Sequence, residues 1–136
     1  MNEEFKVQFE KKVNYKNEGD IELQIGSSTI SFEREHLKFI KAEGNYIAMH
    51  FIGDEKAVPI LHRATITELN LNLIEYPEFF KCHRSYIINL NAVEYSIGNS
   101  QGLHLKMIND HIKIPVSRPK IKLLKQYLEK TDDAQF

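Results

Sequence analysis

Apolar and polar residues alternate with a period of two in several short runs of this chain, cut by Gly, Asn, Asp and Ser. That pattern restricts the fold more than any other feature, because a period of two puts alternate side chains on opposite faces of a strand. Ile21, Leu23 and Ile25 stop at Gly26-Ser27-Ser28, and Ile30 and Phe32 resume the alternation, which predicts a hairpin. Leu37 through Ala42 gives a third strand, ending at Glu43-Gly44-Asn45, where Gly and Asn tolerate the positive φ of a tight turn. Tyr46 to Phe51 returns as a fourth, Gly53-Asp54-Glu55-Lys56 turns the chain, and Ala57 to Leu61 supplies a fifth.

The period then changes. Ile66, Leu69 and Leu73 mark one stripe of a helix over residues 65–75, which Pro77 stops because it lacks an N–H. Strands are predicted again at Phe79 to Cys82, Val93 to Ser96, Leu103 to Met107 and His111 to Ile114, with turns at Gly98–Gly102 and Asn109-Asp110. Tyr86, Ile88, Leu90 and Val93 read as core or turn-packing residues, and Asn89 and Asn91 as bonding local backbone. Ser117 is placed to cap a last helix over Pro119–Glu129, whose apolar face is Ile121, Leu124 and Leu128.

The fold class expected is therefore mainly β with two short helices, built from antiparallel hairpins. Phe5, Val7 and Phe9 mark residues 1–19 as an arm or edge strand, residues 20–130 form the domain, and 131–136 form a frayed tail.

With 136 residues, 42% of them apolar and 27% charged, the chain has the makings of one folded domain. No apolar run approaches the roughly 18 residues that span a bilayer, and the start Met1-Asn2-Glu3-Glu4-Phe5 is acidic, so the expected compartment is the cytoplasm with no membrane contact. A single cysteine, Cys82, excludes an internal disulfide and a multi-cysteine zinc site. The net charge of −1 is unevenly spread. Residues 81–130 hold nine basic side chains and three acidic ones, 9 − 3 = +6, which leaves −7 for the rest. Such segregation suits a polyanion approaching one face, or equally a solvated charged surface.

Enzyme chemistry finds no foothold. The sequence has no Gly-rich phosphate loop, no G-x-S-x-G elbow and no H-E-x-x-H or paired-Cys pattern. His104 and His111 fall on neighbouring predicted strands and would meet, but two ligands are too few for zinc. Cys82 and His83 are adjacent in a strand and so point apart, which reads as a packed Cys and not a thiol–imidazole pair. No cofactor and no metal is expected.

The run FFKCHRSYIINL at residues 79–90 is more specific. It resembles the F-x-R-x-H-R-S-Y-x-V-N signature of LytTR-type DNA-binding domains. FIKAEGNY at 39–46 is similar to that family's Y-I-E-A-E-G-N-Y, and IPVSR at 114–118 to its L-P-V-S-R. The blocks come in the family's order, and the resemblance covers residues 20–129. Lys41 stands where the family often has an acid, and Pro119 where a basic or polar residue is common.

The resemblance implies an elongated β fold whose loops enter successive major grooves of double-stranded DNA, and a transcriptional regulator acting on paired direct repeats, with two copies on one DNA. It gives three positions that role: Asn45, in the strand turn, and Arg84 and Arg118, each beside a Ser, which would reach guanine O6 and N7 or the phosphate backbone. Asn45 is equally an ordinary turn residue. His83 positions Arg84 or reads the DNA itself. Lys120 and Lys122 open the last helix, whose N–H groups favour a phosphate. Family members usually follow a receiver or sensor domain, for which twenty leading residues leave no room, so a stand-alone regulator or an excised domain is expected. The competing reading is a β-rich protein-interaction module whose positive face meets an acidic partner.

Overall fold

The computed structural model of the protein describes residues 5–8, 19–53, 58–99 and 101–133. Its strands are β1 (Phe5–Gln8), β2 (Asp20–Ile25), β3 (Ser28–Glu33), β4 (Leu37–Glu43), β5 (Tyr46–Phe51) and β6 (Ile60–Arg63), followed by helix α1 (Ile66–Leu73). After it come β7 (Phe79–His83), β8 (Tyr86–Asn89), β9 (Val93–Asn99), β10 (Gly102–Met107), β11 (Lys113–Val116) and helix α2 (Arg118–Asp133). They form a five-stranded sheet in the order β6-β5-β4-β8-β7, a four-stranded sheet β1-β9-β10-β11, and the separate hairpin β2-β3. The fold is mainly β with two helices, and all the pairings are antiparallel.

The five-stranded sheet is the middle layer, and alternation sends its side chains into two different cores. Ile40, Ile47, Met49 and Ile87 meet the inner face of the β2-β3 hairpin and the Ile66, Leu69, Leu73 stripe of α1. On the other face Phe39, Phe80, Cys82, Tyr86 and Ile88 meet Leu105, Met107 and Ile114, with Ile121 and Leu124 of α2. The predicted stripe of α1 holds, while the helix is shorter than 65–75 and ends at Leu73. Thr65 and Glu68 form a reciprocal capping box, each side chain taking the other's backbone N–H.

The predicted hairpins β2-β3 and β4-β5 lie where the alternation placed them, whereas other elements differ from expectation for physical reasons. β8 was not anticipated as a strand. All four of its residues are buried, Tyr86 and Ile88 in one core, Ile87 in the other and Asn89 against the Leu37 carbonyl, so the period-two signal is absent. The fifth strand runs over Ile60–Arg63 and not Ala57–Leu61; Ala57, like Asp54 to Lys56 of the predicted turn and Phe9 of the arm, lies outside the described residues. β11 starts at Lys113 because the Asp110 carboxylate accepts the Ile112 N–H at 3.0 Å, and Asn109, at φ 52°, keeps the chain turning. The helical backbone of α2 extends past Glu129 to Asp133. Asn89 does more than bond locally: its Oδ1 accepts the Asn91 N–H at 2.9 Å, and its Nδ2 donates to the Leu37 carbonyl, also at 2.9 Å.

A buried ion pair ties the layers together at the foot of β7. Arg34, after β3, donates from Nε and Nη2 to the Glu78 carboxylate at 2.6 and 2.9 Å, and the guanidinium lies 4.9 Å from the Tyr76 ring centroid. The two side chains are 6% and 0% exposed.

Candidate nucleic-acid interface

The register of the five-stranded sheet brings two connections to one of its ends, and hydrogen bonds bring a third. Glu43 pairs with Tyr46, so Gly44 and Asn45 form the two-residue loop between β4 and β5. Gly44 supplies the positive φ, 63°, that tight hairpin loops need, and Asn45 does not adopt one. The turn backbone therefore does not require Asn at position 45. Asn45 is exposed, and among the described residues nothing hydrogen-bonds its amide.

His83 pairs with Tyr86, leaving Arg84 and Ser85 as the loop between β7 and β8. That loop is held on both sides. Ser85 donates its N–H to His83 Nδ1 at 3.1 Å, and its carbonyl accepts the Ala42 N–H at 2.9 Å. Through the second bond the Arg84 loop sits beside the end of β4, next to the Asn45 loop. His83 thus has a structural part: an acceptor nitrogen that fixes the turn presenting Arg84.

Arg118 reaches the same end by another route. Ser117 donates both its N–H, at 2.9 Å, and its hydroxyl, at 3.3 Å, to the Cys82 carbonyl, and the Cys82 thiol donates to the Pro115 carbonyl at 3.6 Å. These bonds fasten the exit of β11 to β7, so Arg118 emerges beside the Arg84 loop. Its Nε donates to the Gln101 carbonyl at 3.2 Å, which brings the β9-β10 loop alongside. Gly98, in β9 just before that loop, is at φ 134°, and a Cβ there would overlap the Gly102 carbonyl. Lys120, partly exposed, and Lys122, exposed, follow in the first two turns of α2, where the Lys120 N–H donates to the Ser117 carbonyl at 2.8 Å.

Asn45, Arg84 and Arg118 therefore stand in one row. Among the described residues, none of Arg84, Arg118, Lys120 and Lys122 forms an ion pair; the nearest pair in the row is Lys41 with Glu43, at 3.3 Å. Lys113 sits at the far end of β11, opposite Lys106, away from the row. Arg63, which sequence reasoning passed over, pairs with Tyr46 on the edge strand and stands exposed at the outer end of the row.

The geometry disfavours a thiol–imidazole pair at Cys82 and His83 and a shared ligand site at His104 and His111. Burial pushes the Cys82 thiol up to about 12, far from a nucleophile's range, and the His83 nitrogen is engaged with Ser85. His104 faces Pro115 across the ladder, and His111 precedes β11, so the two histidines are not cross-strand neighbours. Among the described residues no three metal-ligating side chains gather, and no helix is long and apolar enough to cross a membrane.

Comparison with known proteins gives one consistent result. The family model described as the LytTr DNA-binding domain matches residues 27–129. None of the curated proteins matches the chain. Among solved structures the fold is similar to a LytTr DNA-binding domain from Bacillus cereus, with a TM-score of 0.60 at 18% identity, over 82% of this chain and 98% of that one. With a family match over most of its length and the same fold, the chain belongs to the LytTr DNA-binding domain family.

Proposed function

We propose that this chain is a sequence-specific transcriptional regulator of the cytoplasm that reads double-stranded DNA through loops set in successive major grooves, without catalytic activity or cofactor. The observation that carries this reading is the row of Asn45, Arg84 and Arg118 on three connections joined by hydrogen bonds, with both guanidinium groups free of carboxylates among the described residues. Neutral surface would not need it: an exposed ion pair contributes only about 0–1 kcal/mol, and here even that partner is missing.

Dimensions support the reading. Strands lie ~4.8 Å apart, so the backbone row from Asn45 to Ser117, three to four spacings, is roughly 17 Å long. That is about half of the ~34 Å repeat of B-DNA. Long arginine side chains, with Lys120 and Lys122 beyond, lengthen the row towards that repeat. Arg84 and Arg118 suit guanine O6 and N7, Asn45 suits adenine, and the lysines suit phosphate. Paired direct repeats would then seat two copies of the chain on one DNA, as a dimer formed there.

Selection from a random duplex pool is the direct test. Enrichment of a motif is expected, and Arg84→Ala or Arg118→Ala should each cost about 1–3 kcal/mol of binding and relax the preference at one base pair. If no duplex is enriched and both variants bind DNA as the parent does, while an acidic protein is captured, the interaction-module reading replaces this one.

A further inference from the structure

We propose that Arg63 is a phosphate clamp at the outer end of the row, holding the backbone phosphate that borders the groove entered by Asn45. This rests on the DNA-binding reading and adds to it a contact from the acidic part of the sequence, where charge segregation gives no hint of one.

Three observations carry the assignment. Arg63 is placed by the ladder, since it pairs with Tyr46, the residue that follows Asn45. It also shares with Asn45 an open cavity of about 480 Å³, between the β2-β3 loop, the β4-β5 loop and the start of α1. The cavity wall carries the small hydroxyl residues Ser27 and Ser28, which suit an oxyanion. Finally, Arg63 has no ion pair among the described residues, even though Glu68 lines the same cavity. Glu68 turns to the helix start instead, its Oε1 accepting the Thr65 N–H and hydroxyl at 3.2 and 3.0 Å. Arg34 is the contrast: its guanidinium is buried on Glu78 and serves the fold.

Spacing selects phosphate over base. Arg63 stands on the strand beyond β5, so it lies one and a half strand spacings outboard of the Asn45 loop, ~7 Å. A major groove is about 12 Å wide. With Asn45 near its middle, a group ~7 Å to the side meets the phosphates of the groove wall and not a base edge. A forked guanidinium over that wall makes two parallel charge-assisted bonds to phosphate oxygens.

The test uses the whole chain and the duplex it selects from a random pool, about three helical turns or ~30 bp long. Binding is measured by fluorescence anisotropy between about 50 and about 200 mM salt. Arg63→Ala is expected to bind more weakly, with the slope of log K against log salt smaller by about 1 and the selected motif unchanged. At ~0.9 ion per phosphate, the loss relative to the parent then shrinks about 3.5-fold across that salt range. Arg63→Lys is expected to restore the slope, and a thermal melt of each variant checks that it is folded. Unchanged affinity and slope in Arg63→Ala, with Arg84→Ala impaired, overturns the clamp and leaves the DNA reading standing. Weaker binding with an unchanged slope, or a shifted motif, overturns the phosphate assignment. Parent-like binding by the Arg63, Arg84 and Arg118 variants together overturns the DNA reading itself.

Discussion

Glu78→Gln removes the carboxylate charge from a site with almost no water, and its cost follows from what the guanidinium keeps. Arg34 and Glu78 make two bonds at 2.6 and 2.9 Å with side chains 6% and 0% exposed. Breaking a buried pair from one side costs about 3–5 kcal/mol. The Tyr76 ring, 4.9 Å away, still faces the cation and retains on the order of 1 kcal/mol, so the lower end of that range, about 3 kcal/mol, is expected. Unfolding entropy for 136 residues, at about 2.1 cal/mol/K each, is roughly 0.29 kcal/mol/K, so Tm should fall by about 10 °C. Urea titration followed by circular dichroism measures the free energy, and a melt gives the Tm. The double variant Arg34→Met with Glu78→Leu replaces both charges by apolar groups and should recover to within about 1 kcal/mol of the parent. The reasoning fails if the single variant loses less than about 1 kcal/mol, or if the double variant is no more stable than the single one.

The remaining predictions concern two titratable groups. His50 stacks on Phe39 with ring centroids 4.2 Å apart, and burial lowers its pKa below 6.5, Asp110 opposing. The folded value lies below the unfolded one, so this contribution is complete above about pH 6.5 and is lost as pH falls from there through the folded value. Parent stability should therefore drop more between about pH 7.5 and 5 than that of His50→Phe; parallel curves would remove His50 as the cause. Cys82, with its thiol pushed up to about 12, should stay unlabelled by a thiol reagent at pH ~8 until denaturant is added. Rapid labelling of the native protein would contradict its place in the core.

Much of the architecture was legible because it is written locally. The β2-β3 hairpin buries one face through alternate residues, and Gly26 and Gly44 mark the turns of β2-β3 and β4-β5 with positive φ. The stripe on α1 and its capping box lie within one short window of sequence. Asn45, Arg84 and Arg118 were also nameable, since each lies in a block that resembles a family motif.

Only the tertiary structure decided what those residues become together. β8 pairs with β4 across a long stretch of chain, and a strand buried on both faces has no alternation to announce it. That pairing, through the Ala42 and Ser85 bond, sets the Arg84 loop beside the Asn45 loop, just as the bonds to the Cys82 carbonyl set Arg118 on the other side of the Arg84 loop. Which arginine is buried on a carboxylate is likewise a matter of distant partners: Arg34 meets Glu78, whereas Arg63 forms no ion pair among the described residues. Local sequence determines which backbone a segment prefers; contacts between segments far apart in the chain determine where its charges end up.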